Sequence, residues 1–431
     1  MQTVFTDERL LEGVNQCAEY PHIDPATLAN RILELAAFGK TADGGVTRFV
    51  YTEEEKKAKE LFVSWIKEAG LEVREDGFGN LFAKYTGEDP DLPAVMTGSH
   101  LDSVPNGGYF DGPLGCISSF MAIEALIKEG KRPKRSIEFV IFVNEEGSRF
   151  NNGIFGSQAL MGEITKEELN TYRDKEGVSI AEAMKEQGYD PEIALAGKCE
   201  KNDIHAFLEL HIEQGKQLEL NNEKIGIVSG IAGPTWQSFT FLGETDHAGN
   251  TPMHLRKDTL CAAAEFMLEV EKLPRQINET AVATVGKIDV SPNGANVISG
   301  KTNVIVDVRD IDKGSLAELN ERIVSSASEI AERRGIQAEH EELTKIDPVV
   351  VPDSIQESIK ASCERHQLPY RSLVSGAGHD AMIMGKYVPS AMVFVPSVNG
   401  KSHSPEEFTH LADCVDGVAV MKDILWDLAN E

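Results

Sequence analysis

The sequence predicts an α/β protein: a larger domain with a mostly parallel sheet flanked by helices, and a smaller ferredoxin-like α+β domain inserted into it. Three observations lead there. At 431 residues the chain exceeds the size at which one hydrophobic core stops growing, so two domains are expected. Short apolar strands alternate with long helices through the first half, the pattern of a parallel sheet with covering helices. After Gly230 the order becomes β-α-β-β-α-β, that of a ferredoxin-like unit.

The elements follow in order. Leu28, Ile32, Leu35 and Ala36 repeat at helical spacing between Pro25 and Gly39. A second helix opens at Thr52, with Glu55 three residues on as a capping box, and ends near Gly70. Ala94–Gly98 reads as a short buried strand, Pro113–Glu129 as a helix and Ile137–Val143 as a second strand. Residues 157–203 read as a helical excursion. In the smaller domain, strands are expected at Thr235–Leu242, Thr280–Val290, Asn296–Asp310 and Ile336–Leu343. Helices are expected at Asp258–Lys272 and Ser315–Arg334, the second opening on a capping box of Ser315 and Glu318. The chain then returns to helix–strand alternation, as at Val388–Val395. The expected boundaries are 1–229 and 346–431 for the larger domain, and 230–345 for the insertion.

Composition narrows the function classes. The chain is 41% hydrophobic and 26% charged, near a soluble globular average. A formal net charge of -28 opposes nucleic acid and anionic membrane as partners. There is no apolar run long enough for a membrane span, and Met1–Glu8 lacks the basic-then-apolar pattern of a secretory leader. Six scattered cysteines (Cys17, Cys116, Cys199, Cys261, Cys363, Cys414) form neither a disulfide framework nor a zinc-finger pattern. A cytoplasmic location is therefore expected.

Four polar clusters carry candidate chemistry. The first, Gly98–Gly115, follows a buried strand, and ligands of α/β sheets bind at strand carboxyl ends. There His100 and Asp102 face the same way on an extended chain, which suits an imidazole ligand steadied by a carboxylate. Asp111 sits in a glycine-bounded turn before a helix. His-x-Asp alone is equally a polar loop with a capping Asp. The second cluster, Asn144-Glu145-Glu146-Gly147, leaves an apolar strand. One glutamate there suits a metal and its neighbour a general base, while alone the pair reads as a solvated strand end. The third is Phe207–Gly215, where Glu209, His211 and Glu213 share one face of an extended segment. A lone histidine in such a place is commonly structural. The fourth is Lys401–Phe408, a loop holding His403 among small neighbours. Together His100, Asp111, Glu146, His211 and His403 form an N/O donor set suited to two divalent ions, with no cysteine.

These strings resemble the co-catalytic metallohydrolases of the aminoacylase and carboxypeptidase type. The resemblance is to the hydantoinase/carbamoylase branch, which includes N-carbamoyl-L-amino-acid hydrolases, allantoate amidohydrolases and β-ureidopropionases. It runs from Gly44-Gly-Val-Thr-Arg48 to Ser402-His-Ser-Pro405, and Glu209-Leu-His-Ile-Glu-Gln-Gly215 is a signature of the carbamoylase side. The resemblance implies that His100, Asp111 and His211 hold one metal, and Asp111, Glu146 and His403 the other. Zn²⁺ or Mn²⁺ is implied, with Co²⁺ and Ni²⁺ as alternatives. Glu145 would be the general base and Asp102 the partner of His100. The inserted domain would be a dimerisation and lid domain, making the protein a homodimer whose closure brings His247 and Arg309 to the metals. His247, in Asp246-His-Ala-Gly-Asn-Thr-Pro252, would polarise the scissile carbonyl. Asn296 and Arg309 would grip a substrate carboxylate, Gln214 the ureido end, and Gly378 would offer its backbone amide. On its own, Arg309 reads more simply as an ion pair with Asp307 or Asp310. The implied substrate is a small ureido compound bearing a carboxylate, and the implied reaction is hydrolysis of an N-carbamoyl-L-amino acid to amino acid, CO₂ and ammonia. Allantoate and N-carbamoyl-β-alanine are the near alternatives, a dipeptide or N-acyl amino acid the distant one.

Overall fold

The computed structural model of the chain describes residues 7–197 and 201–431. Cys199 and the first six residues lie outside them. The strands, in chain order, are β1 (Glu72–Glu75), β2 (Leu81–Tyr85), β3 (Ala94–His100), β4 (Ile137–Phe142), β5 (Ile204–Ile212) and β6 (Ile225–Ile231). Then come β7 (Gly233–Leu242), β8 (Asp246–His247), β9 (Val282–Ser291), β10 (Val297–Ile298), β11 (Lys301–Asp310) and β12 (Gln337–Lys345). The last are β13 (Val349–Val350), β14 (Tyr370–Ser375) and β15 (Ser390–Val395).

The chain divides into two compact units. One comprises the described residues through Ser229 with Val351–Leu373 and His379–Glu431; the other comprises Gly230–Val350 with Val374–Gly378. The return to the larger unit falls at Val351 rather than 346, because Val349 and Val350 pair with Ile231 and Gly230.

The larger unit is built on a sheet of order β1-β2-β4-β3-β5-β15-β6, with β14 also on β6. Its middle, β4-β3-β5-β15, is parallel; β1, β2 and β6 join antiparallel at the sides. Central strands buried on both faces explain why β3 and β4 read as continuous apolar runs. On β5 the alternation assigns two jobs. Ala206, Leu208, Leu210 and Ile212 enter the main core, beneath the helices Pro25–Ala36, Glu53–Glu68, Pro113–Lys128 and Leu411–Asn430. Glu209 and His211 therefore point to the other face. The excursion holds four short helices between Phe155 and Ala196, packed around Phe150, Phe155, Ile180 and Met184.

The smaller unit holds the four-stranded antiparallel sheet β12-β7-β11-β9 with two helices, Thr259–Lys272 and Lys313–Arg334. Phe239, Phe241, Phe266, Val304, Val306, Ile323 and Ile330 form its core. The order of elements is the β-α-β-β-α-β read from the sequence. The segment expected as one strand from Asn296 is two, because Val297–Ile298 breaks away to pair with Asp246–His247.

Both capping-box readings need correction. The helix expected at Ser315 starts at Lys313, where the Asp312 carboxylate, three residues earlier, accepts the Ser315 N–H. At Thr52 the hydroxyl does accept the Glu55 N–H, but the Glu55 carboxylate turns to the Tyr51 N–H (3.2 Å) and to Lys59 (2.9 Å). The buried Lys59 ammonium draws the carboxylate off the Thr52 N–H. Among the described residues no helix is long and apolar enough to cross a membrane.

Candidate active site

The ends of the parallel strands converge on one cluster, as the open-sheet rule requires. His100 closes β3, Glu145 and Glu146 leave β4, His211 lies near the end of β5, and His403 follows β15. Asp111 reaches them from the turn before the helix at Pro113.

Two groups of three donors result, His100–Asp111–His211 and Asp111–Glu146–His403, with the ligand atoms of each within 4.8 Å of one another. Asp111 belongs to both. Its Oδ1 lies 3.1 Å from His211 Nε2 and 3.7 Å from His100 Nε2. Its Oδ2 lies 3.4 Å from His403 Nε2, which in turn is 3.5 Å from Glu146 Oε1.

The two buried imidazoles are pre-set as ligands. His100 Nδ1 donates to the Asp102 carbonyl (3.0 Å) and His211 Nδ1 to the Ile212 carbonyl (2.9 Å). A carbonyl only accepts, so each Nδ1 carries the proton and each neutral ring aims its Nε2 lone pair into the cluster. Both Nε2 atoms are buried without a hydrogen bond, facing carboxylate oxygens. Lone pair against lone pair is tolerable only with a cation between, so the donor set fits a divalent metal.

Without a metal, protons take that place. Burial works against a charge on His100, but Glu145, Asp102 and Glu146 outweigh it and hold its pKa well above the usual range. Burial likewise opposes the Asp111 charge, but His211, His403 and His100 keep its carboxyl well below the usual value. The hydrogen bond to Asp111, with Glu146 adding to it, pushes His403 up to about 9. Burial, then Asp111, pushes Glu146 up to about 7. A divalent ion held by these donors would displace those protons.

Glu145 stands beside both groups and in neither. Its Oε2 is 3.7 Å from His100 Nε2, and burial, with Glu146, Asp380 and Asp102 nearby, raises its carboxyl well above the ordinary range against the pull of His100. Asp102 does more than steady His100. Its carboxylate lies 3.5 Å from the ring, and it accepts the N–H groups of Glu145 (3.0 Å) and Glu146 (3.1 Å), fixing where both glutamates leave the strand.

Gly112 has φ +81°, and a Cβ there would meet the His100 ring at 2.4 Å. Gly112→Ala is expected to destabilise the protein by at least about 2 kcal/mol, from strain and from the displaced imidazole. Thermal melts and metal content would check this; an unchanged melt with full metal would refute it.

The remaining candidates divide by place. Gln214, at φ +55°, sends its Nε2–H to Asp111 Oδ2 (2.7 Å). His247, Asn296, Arg309 and Gly378 belong to the smaller unit. The exposed His247 accepts the N–H groups of Gly249 (3.0 Å) and Asn250 (3.1 Å) at Nδ1, so its neutral form carries the proton on Nε2. The Asn296 carbonyl accepts the Ala248 N–H (3.0 Å), tying the two loops together. Arg309 makes a two-bond pair with Asp307 (2.9 and 2.8 Å) and donates to the Gly376 carbonyl (2.6 Å), two residues before the half-buried Gly378. The choice left open between Asp307 and Asp310 is settled by strand alternation. Asp310 points to the other face, where Thr280 and Asn278 occupy it.

Several residues of the cluster were not singled out from the sequence. His379 packs on His211, with ring centroids 4.6 Å apart. Arg48, fully buried, donates to the Leu101 (2.6 Å), Leu35 (2.7 Å) and Phe38 (3.0 Å) carbonyls, clamping the chain between His100 and Asp102. Glu209, which the sequence already placed on the face of His211, accepts behind it from Ser99 Oγ (2.7 Å) and the Ala381 N–H (3.2 Å). Asp380 is buried nearby, and its carboxyl is pushed up to about 8 by burial and then by Glu209.

A carboxyl held protonated in the folded state contributes stability at low pH that is lost as pH rises through its folded pKa. Asp380→Asn is therefore expected to flatten the fall in Tm of chelator-treated protein from about pH 5 to about pH 8. Parallel curves for the two proteins would rule this out.

Residues 96–427 match the model of peptidase family M20/M25/M40. The chain belongs to this family. Within it, the chain falls in the hydantoinase/carbamoylase branch. It is 40% identical over 403 residues to the N-carbamoyl-L-amino acid amidohydrolase of Geobacillus stearothermophilus, covering 94% of this chain and 98% of that one. It is 37% identical over 399 residues to the allantoate amidohydrolase of Bacillus subtilis, covering 92% and 95%. An amidase of the hydantoinase/carbamoylase family from Burkholderia multivorans superposes with a TM-score of 0.89 at 36% identity, covering 95% of this chain and 99% of that one.

Proposed function

We propose that this chain hydrolyses the carbamoyl C–N bond of an N-carbamoyl-L-amino acid, giving the amino acid, CO₂ and ammonia. The observation that carries the reaction class is the pair of donor groups sharing Asp111, with the carboxylate of Glu145 beside them and outside both. The near full-length likeness to an N-carbamoyl-L-amino acid amidohydrolase supports the choice of substrate. Allantoate is the second reading, supported by the likeness to an allantoate amidohydrolase.

Two divalent ions, Zn²⁺ or Mn²⁺ with Co²⁺ or Ni²⁺ also suited to these donors, would be held by the two groups and would supply Lewis acidity and an acidified water. Glu145 takes the proton of the attacking water and passes it to the leaving nitrogen. Asp102 keeps Glu145 aimed by holding its backbone N–H. His247, with its proton on Nε2, is the donor to the carbonyl oxygen as charge develops there. Arg309 and Asn296 take the substrate carboxylate, while Gln214 and the Gly378 N–H take the ureido end. For Arg309 the support is the family likeness; Asp307 takes its Nε–Nη2 edge and orients the fork, which leaves the Nη1–Nη2 edge for a substrate carboxylate. We further infer a homodimer, from the family likeness, and a cytoplasmic location, with which the free state of the five described cysteines agrees.

The test is ammonia release from metal-stripped protein reconstituted with Mn²⁺ or Zn²⁺. Its panel holds N-carbamoyl-L-amino acids, N-carbamoyl-β-alanine, allantoate, a dipeptide and an N-acetyl amino acid, the last two followed by amine release. Metal-dependent ammonia from an N-carbamoyl-L-amino acid is the expected result. Amine from the dipeptide or acetyl substrate alone would overturn it.

A further inference from the structure

The loop after β15 carries a second acidic residue that the reaction as derived does not use. Glu407 is 1% exposed, and no cation faces it at ion-pair distance among the described residues. Its Oε1 accepts two consecutive backbone N–H groups, those of Phe110 (2.8 Å) and Asp111 (3.0 Å), from a loop almost 300 residues away in sequence. Ser402 Oγ lies 3.1 Å from its Oε2 and donates to Asp111 Oδ2 at 2.6 Å. One carboxyl group thus fixes the main chain of Asp111, and the Ser402 hydroxyl beside it holds the Asp111 oxygen that faces His403. Phe408 and Phe110 add an edge-to-face contact, with centroids 5.7 Å apart, across the same two loops.

The sequence around Asp111 is shaped to admit this carboxylate. A Cβ at Gly108 would fall 2.0 Å from Glu407 Oε1, so a glycine there is the condition for Glu407 to reach the Phe110 and Asp111 amides. Burying a carboxyl group is costly, and the two backbone N–H donors converging on one of its oxygens offset part of that cost.

We propose that Glu407 is a positioning residue for the second donor group. With Ser402 it locks the loop of His403 to the turn of Asp111, so that Asp111, Glu146 and His403 hold their ion. The proposal rests on the reading of that group as a metal site. Outer partners of metal ligands contribute roughly ten- to hundred-fold in affinity. Glu407 and Ser402 sit on the loop of His403, a donor of that group alone, and Ser402 holds the Asp111 Oδ2 that faces it rather than the Oδ1 that faces His100 and His211, so loss of Glu407 should weaken one ion and spare the other.

The experiment is a Zn²⁺ titration of the chelator-stripped full chain against a chromophoric competitor, with metal content after equilibrium dialysis and thermal melts in parallel. Wild type, Glu407→Ala, Glu407→Gln, Ser402→Ala and Gly108→Ala are compared. The wild type should bind two ions. Glu407→Ala and Gly108→Ala should keep one at wild-type affinity and bind the other roughly ten- to hundred-fold more weakly. Glu407→Gln should restore it to within about threefold, because the amide oxygen still accepts both N–H groups. Ser402→Ala should weaken the same ion by a smaller factor, and it keeps the test open if Glu407→Ala fails to fold. Two ions at wild-type affinity in both Glu407→Ala and Ser402→Ala would overturn the proposal. So would equal weakening of both ions, which is what a merely structural role produces. A wild type that binds no Zn²⁺ would instead overturn the metal-site reading beneath it.

Discussion

Glu145→Gln is expected to lower kcat on the ureido substrate by roughly 10²–10⁴-fold while leaving metal content at the wild-type level. The substitution preserves shape and the backbone N–H that Asp102 accepts, so the turn after β4 should hold. What it removes is the carboxylate that lies 3.7 Å from His100 Nε2 and belongs to neither donor group. A glutamine oxygen cannot take a proton from water at neutral pH, nor return one to the leaving nitrogen. Substrate binding should change little, so KM should stay within about threefold while kcat collapses, the pattern of a group acting in the transition state. Steady-state ammonia release with metal analysis on the same sample decides it. A fully metallated variant with kcat within tenfold of wild type would show that another group moves the proton.

Asp111→Ala should cost both metal sites at once, whereas His403→Ala should cost one. Asp111 is common to the two donor groups, with Oδ1 toward His100 and His211 and Oδ2 toward His403. Its removal leaves two buried imidazoles without their shared carboxylate, and the Gln214 amide and Ser402 hydroxyl without that acceptor. Activity should fall by at least about 10³-fold, or about 4 kcal/mol of transition-state stabilisation, and added Zn²⁺ or Mn²⁺ should not restore it. The check is metal content per chain after dialysis, together with the assay. Two ions retained in Asp111→Ala would dismantle the shared-carboxylate arrangement.

The elements of the larger unit were legible because local chemistry enforces them. β3 and β4 read as strands because both faces of a central parallel strand are buried, which forces an apolar run. The residues leaving such runs, His100 and Glu145–Glu146, stood out as polar groups at strand ends, where open sheets bind ligands. The β-α-β-β-α-β order of the smaller unit was legible for the same reason: each of its elements carries its own periodicity. Helix starts were less so. Ser315 and Glu318 satisfy a local pattern, yet the Asp312 carboxylate reaches the same N–H and takes the cap.

Strand and helix order, and the residue types at the strand ends, were readable from the chain alone, since apolar periodicity and buried charge are local signals. Which polar groups meet depended on how distant segments pack. It placed Glu407 on the Phe110 and Asp111 amides, Asp102 on the Glu145 and Glu146 amides, Arg48 on three carbonyls and His379 against His211. Most of these are directional contacts between segments far apart in the chain. Hydrogen bonds depend on where two backbones come to lie, and no window of sequence contains both.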